Sequence, residues 1–209
     1  VLRNTETSSP KILYRDNYIC LAYKPRGLSF DTEQVNLIGW VGELAYRKVY
    51  PVHRLDKDVD GICVFGLSPY VASRLNEQFV KREVLKIYVG ILKGNLDKTV
   101  LIKRPIKRKK KVFPAETFIK PLSQSKGLTL VSFQILTGRF HQIKKHVGLL
   151  KMSFLTDSVG VILSSVVLGF THPRTKRKAI FSCIKQVQSY KTWKELCPGF
   201  KLTRKLLLS

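Results

Sequence analysis

His53-Arg54-Leu55-Asp56-Lys57-Asp58-Val59-Asp60-Gly61 is a densely charged run that opens directly onto the apolar run Ile62-Cys63-Val64-Phe65-Gly66-Leu67. A short apolar stretch rich in β-branched and aromatic residues predicts a buried strand. Ser68 and Pro69 follow, suited to the N-cap and first position of a helix. The spacing of Val71, Leu75, Phe79 and Val80 carries that helix through about Lys81. The charged run is therefore a loop at the mouth of a strand–helix unit. A carboxylate beside an arginine has its ionised form favoured, and an ionised carboxylate is a nucleophile. Taken alone, the same run reads more readily as a solvated charged loop than as a catalytic one.

Toward the N-terminus, Lys11-Ile12-Leu13-Tyr14 and Tyr18-Ile19-Cys20-Leu21-Ala22-Tyr23 read as strands joined by a turn at Arg15-Asp16-Asn17. Lys24-Pro25-Arg26-Gly27 is a second turn, and residues 36–47 fit an amphipathic helix weakened by two glycines. Toward the C-terminus, residues 84–92, 128–136 and 161–170 read as strands, and Gly138 to Leu150 as a helix entered through a glycine turn. Residues 103–111 carry seven basic residues in nine, which predicts a loop, since packing them would bury unpaired charge. Positions 101–127 form the long excursion, and the tail 189–207 has helical segments with lysines outward. No internal repeat is visible. The fold class expected is α+β, a mixed, mostly antiparallel central sheet flanked by helices. A polar arm at 1–10 precedes one domain at 11–209.

Charge is the dominant compositional fact. Thirty-eight Lys and Arg stand against 14 Asp and Glu, a net charge of +24 over 209 residues. Such an excess repels itself unless a polyanion neutralises it, and nucleic acid is the expected partner because bound phosphates release counterions. No apolar run reaches the length of a membrane span, and no membrane partner is expected. Cys20, Cys63, Cys183 and Cys197 lack zinc spacing and read as reduced, buried thiols. The first residue is Val1, which leaves room for a removed targeting segment.

A second constellation is Thr137-Gly138-Arg139-Phe140-His141-Gln142-Ile143-Lys144-Lys145-His146. On a helix, Arg139, Gln142 and His146 lie near one face and can converge on an anionic group. His141 reads equally as a hydrogen-bonded structural residue.

Together and in this order, these segments resemble the RluA family of pseudouridine synthases over roughly residues 11–183. Lys24-Pro25-Arg26-Gly27-Leu28 is similar to the family's K-P-x-G-L, His53-Arg54-Leu55-Asp56 to its H-R-L-D, and Gly61 to the closing glycine. Lys86-Ile87-Tyr88 matches K-x-Y, Thr137-Gly138-Arg139 with His141-Gln142-Ile143 matches T-G-R-x-H-Q-I, and Phe170-Thr171-His172-Pro173 matches F-x-H-P. The resemblance implies cleavage of a uridine N-glycosidic bond, rotation of uracil and rejoining through carbon, with no metal or organic cofactor. It implies that Asp56 is the catalytic carboxylate, that Tyr88 stacks on a flipped base, and that Arg139 pairs with Asp56. It places His53, Arg54, His141, Gln142 and Lys144 against the RNA. The basic loop, with Lys103, Arg104, Lys107, Arg108, Lys109, Lys110 and Lys111, becomes a backbone clamp, and Arg174, Lys176 and Arg177 a second contact. The competing reading of the basic runs is a nuclear targeting signal or solvated loops.

Several positions depart from the family pattern. Val59-Asp60 stand where it has Thr-Ser, and Asp60 adds a negative charge near Asp56. Lys144 replaces the arginine of H-Q-I-R, trading a forked guanidinium for a point charge. Lys151 to Gly160 have lost most of a G-H-P-I-x-G-D-x-x-Y-G segment, and Leu163-Ser164-Ser165 replace L-H-A. Two functions are therefore carried forward. One is a synthase acting on structured RNA, with rRNA favoured over tRNA from the charge. The other is a noncatalytic RNA-binding factor of the same fold, acting on a ribosomal or pre-ribosomal particle. An organelle, the mitochondrion, is the expected location, with the cytoplasm as the alternative.

Overall fold

The computed structural model describes residues 9–188 and 200–208. β1 (Lys11–Arg15) and β2 (Ile19–Lys24) form the hairpin expected, because Asp16 Oδ1 accepts from the amides of Tyr18 and Ile19 at 2.7 and 2.8 Å. His172 closes the same corner. Its Nδ1 accepts from the Arg174 and Thr175 amides, so its Nε2 carries the proton and donates to Asp16 Oδ2 at 2.9 Å.

α1 (Leu37–Ala45) is capped by Asn36, whose side chain accepts from the Gly39 amide. β3 (Tyr50–Pro51) and the charged loop lead to β4 (Asp60–Gly66). α2 (Pro69–Val80) starts at Ser68 and Pro69 as the sequence predicts. β5 (Leu85–Lys93) follows, then β6 (Val100–Ile102), β7 (Ile106–Arg108), β8 (Lys111–Phe113), β9 (Thr117–Ser125) and β10 (Leu128–Ile135). After α3 (Gln142–Leu149) come β11 (Ser153–Phe154), β12 (Leu163–Thr171), β13 (Lys178–Ser182), α4 (Ile184–Gln188) and α5 (Arg204–Leu208). Most of the tail, and the first eight residues of the arm, lie outside the described residues.

Eleven strands make one sheet along the path β1-β2-β4-β12-β5-β10-β9-β6, with β3, β11 and β13 on side branches. The β4–β12 pair is parallel and the other pairs are antiparallel, so the sheet is mixed and mostly antiparallel. β12 forks: Ser164 and Ser165 pair with β4, and Val167 to Thr171 pair with β13. Apolar side chains alternate between two cores. α1 and α3 cover one with Leu37, Val41, Ile143 and Val147, and α2 and α4 cover the other with Val71, Leu75, Ile184 and Val187.

The stretch 101–127 departs from the expected excursion. It holds the nine-residue β9 and a separate hairpin, β7–β8, which carries most of the basic run. Ile106 is buried and anchors that hairpin, while the cations around it stay exposed. A dense basic run is thus compatible with strand pairing when its charges remain in water.

Candidate active site

The loop before β4 is shaped from beneath. Leu55 and Val59 are buried in the core, which leaves Asp56 between them directed outward and partly exposed. Lys24, fully buried at the end of β2, donates to the carbonyls of Pro25, Leu28 and Lys57 at 3.0, 2.9 and 3.1 Å. One ammonium thereby ties the Lys24–Leu28 turn to the residue after Asp56. Burial lowers Lys24 to a pKa of about 8, although nearby Cys63 and the carboxylates of Asp60, Asp58 and Asp56 pull it up. Gly61 has φ +131°, and a Cβ there would stand 2.2 Å from the Ser165 carbonyl oxygen, so the crossing with β12 admits glycine alone.

The loop is also strapped at its outer edge, where Arg54 pairs with Asp31 at 3.0 Å and Lys57 with Glu33. His53, expected to face RNA, accepts from the Val64 amide through Nε2 at 3.1 Å and stacks on Phe79. Burial, with Lys86 nearby, lowers it to a pKa of about 4, so it is neutral and its Nε2 is committed to the backbone.

The facing wall is the Thr137–His141 turn. Gln142 was expected to touch RNA, with Arg139 and His146 converging on an anion. Instead Gln142 is buried and fully bonded. Its Oε1 accepts from Thr137 Oγ1 and the Arg139 amide, and its Nε2 donates to Glu116 O and Thr117 Oγ1. His146 is buried behind it, with Nε2 donating to Arg104 O and Nδ1 accepting from Thr117 Oγ1. These side chains hold the turn against β9 rather than meet a ligand, because that face of α3 packs on the sheet.

Three groups converge on Asp56. His141, left-handed at φ 54°, brings Nε2 to 3.3 Å from Asp56 Oδ2. Lys144 Nζ lies 3.4 Å from the same oxygen and 3.0 Å from each oxygen of Asp58. Tyr88 lies close enough on β5 for the Asp56 charge to act on its phenol. Burial pushes that phenol well above its usual pKa, against a contact from the Ser165 hydroxyl, so it is protonated at neutral pH.

The expected Arg139–Asp56 pair is not formed. Arg139 lines the same cavity, but its Nε donates to Pro114 O at 3.1 Å and its guanidinium lies over Phe113. Lys144, expected as a phosphate contact, takes the carboxylate instead. Asp60 also differs from expectation. It is fully buried, accepts from Tyr23 Oη at 2.7 Å and Ser164 Oγ at 2.6 Å, and burial raises its pKa. Asp60 and Ser164 are two positions at which the chain leaves the family pattern, and they meet. Asp157, in the eroded 151–160 segment, likewise pairs with Arg26 of the Lys24–Leu28 turn.

The cavity, open on one side to solvent, is about 780 Å³, with Asp56, Tyr88, Lys86, Arg139, His141 and Lys144 on its walls. It suits a nucleoside and its neighbours. Arg108 of the hairpin lies over Phe140 at the rim, which brings the basic run to the cavity. Lys103, Arg104, Lys107, Lys109, Lys110 and Lys111 are exposed but do not line it, and Arg174, Lys176 and Arg177 are likewise exposed on a turn that does not line it. Sequence reasoning missed Asp58 as the second carboxylate on Lys144 and Phe140 as an exposed rim aromatic. The Asp56-x-Asp58 spacing and the aromatic beside His141 were the available signals.

Residues 18–148 match the family described as RNA pseudouridylate synthase. The tRNA pseudouridine synthase C of Haemophilus ducreyi is 27% identical over 218 residues, covering 83% of this chain and 90% of that protein. The ribosomal large subunit pseudouridine synthase C of Buchnera aphidicola is 32% identical over 157 residues, covering 65% and 49%. The solved structure of human RNA pseudouridylate synthase domain containing 1 superposes with a TM-score of 0.73 at 18% identity, covering 87% of this chain and 86% of that one. At that identity the likeness is one of fold.

Proposed function

The chain belongs to the RNA pseudouridylate synthase family, and we propose that it isomerises a uridine in structured RNA, an rRNA in preference to a tRNA, with Asp56 as the attacking carboxylate. One observation carries the reading: a partly exposed carboxylate flanked by two basic side chains inside a nucleoside-sized cavity. Lys144 and His141 hold Asp56 toward the space in which an extruded nucleoside sits. A uridine stacked in RNA hides its reacting atoms, so it must be flipped out, and the Tyr88 ring gives the base a surface to stack on. Asp56 attacks C1′ as the N1–C1′ bond breaks, the freed uracil ring turns, the C5–C1′ bond forms as the Asp56–C1′ bond breaks, and the proton lost from C5 is balanced by one gained at N1. The protonated Tyr88 phenol favours the stacking role for that residue.

The +24 charge and the exposed hairpin at the rim support a large folded RNA as substrate, since each lysine or arginine adds a phosphate contact without reading sequence. The test is tritium release from rRNA and tRNA transcripts carrying uridine labelled at C5. Release from rRNA that disappears in Asp56→Asn is expected. Tight binding with no release from either RNA overturns the enzymatic reading, and release from tRNA alone overturns the substrate preference.

A further inference from the structure

Lys86 is an unusual side chain. It is 6% exposed, yet among the described residues its ammonium has neither a hydrogen bond nor a carboxylate partner. Its Nζ lies 5.8 Å from the centre of the Phe79 ring and beside Gly138, where an added Cβ would be 3.9 Å away. The other charges close to it are of its own sign, Arg139 and Arg82, and the neighbouring His53 is neutral. All four of these residues line the cavity.

Of the three cations Lys86 alone is buried, while Arg139 is half-buried and Arg82 exposed. A buried ammonium with no anion is costly, and one held at a cavity wall beside two further cations is placed to receive a negative group that arrives later. The uncharged side-chain surfaces there, Phe79 and the open backbone at Gly138, leave room for one. Lys24, the other fully buried lysine, makes the contrast, because three carbonyls satisfy it.

We propose that Lys86, Arg82 and Arg139 form a phosphate-binding hole in the cavity wall that takes the RNA backbone phosphate flanking the bound uridine. This rests on the reading of the cavity as a uridine site. A phosphate there fixes the register of the chain while the base lies between Asp56 and Tyr88. Arg139 then serves the backbone, consistent with its guanidinium being turned away from Asp56.

Two measurements on the full chain test it. The first is the salt dependence of binding to a fluorescently labelled oligouridylate, for the native protein, Lys86→Met and Lys86→Arg. Loss of one phosphate contact lowers the slope of log K against log salt by about 0.7 in the methionine variant, and the arginine variant restores it. The methionine variant is expected to fold with a raised melting temperature, so lost affinity is separable from lost structure. An unchanged slope overturns the proposal. The second is NMR of the ¹⁵N-labelled Lys86 ammonium with inorganic phosphate, uridine 5′-monophosphate or uridine. An upward move of its titration midpoint with the monophosphate but not with uridine supports the hole, and a matching move with inorganic phosphate shows that the phosphate alone suffices. No response to either phosphate overturns it. Tritium release from RNA with an unchanged Lys86→Met slope removes the hole and keeps the uridine reading. A phosphate response at Lys86 with no tritium release does the reverse.

Discussion

Lys144 Nζ stands 3.4 Å from Asp56 Oδ2 and 3.0 Å from both oxygens of Asp58, so one ammonium holds two carboxylates two residues apart. A methylene stem and a point charge reach both, and the pair fixes where Asp56 points. Lys144→Met is expected to lower the rate of tritium release by about 10- to 100-fold through loss of that positioning. Lys144→Arg keeps the charge and is expected to retain most of the rate. Single-turnover release with saturating RNA, which separates rate from affinity, is the check.

Gln142 braces the turn opposite Asp56 with four hydrogen bonds, joining Thr137, the Arg139 amide and β9. Gln142→Leu conserves volume and strands those partners. Leaving buried polar groups unsatisfied costs about 1–3 kcal/mol each, so a loss of about 2–4 kcal/mol is expected after local relaxation. The midpoint of urea unfolding measures it. A change below experimental error would show that the brace is dispensable.

Gly61→Ala tests the crossing of β4 and β12. A methyl at that φ meets the Ser165 carbonyl and has no flexible side chain to push aside. The expected outcome is destabilisation of about 4 kcal/mol or more, or failure to accumulate as soluble protein. Gly127, also at positive φ but with open space around it, is the control: Gly127→Asn is expected to be tolerated.

β4, after the charged loop, was legible because its apolar run is continuous, and α2 because Ser68 and Pro69 mark its start; the two-residue β3 before the loop has no such run and was not foreseen. β9 was hidden by Pro121, which argues against a long paired strand. It is accommodated at a register shift, where β9 carries an extra residue, Leu122, between Ser123 opposite Leu130 and Pro121 opposite Val131. The hairpin β7–β8 was hidden because Ile106 is its one buried apolar residue among exposed cations. At the site, the sequence brought Asp56, Tyr88 and Arg139 to one cavity but misassigned the partners. Arg139 lies in the turn before α3, and the rotation of α3, which Gln142 and His146 set by packing inward, is what brings Lys144 to Asp56. Charge spacing alone carries no information on that rotation.

The two buried lysines give the last prediction, and they separate structure from function. Lys24 and Lys86 are each lowered from an ordinary lysine value to about 8, chiefly by burial. Between pH 8 and the unfolded value near 10.5, the unfolded chain holds these protons and the folded chain has released them. Stability therefore rises with pH across that window and falls again as pH drops toward 8. Each lysine contributes at most about 1.4 kcal/mol per pH unit. Either methionine variant is expected to flatten the rise relative to the native protein at matched pH, which cancels the general relief of surface repulsion. At pH 7.5 the two variants should diverge. Lys24→Met leaves the carbonyls of Pro25, Leu28 and Lys57 without a donor and is expected to lose about 2–4 kcal/mol. Lys86→Met removes a buried charge that no anion offsets and is expected to gain about 1–3 kcal/mol. Urea midpoints at pH 7.5 and pH 10 decide the matter, and destabilisation by both variants at pH 7.5 would mean that Lys86, like Lys24, is held for the fold.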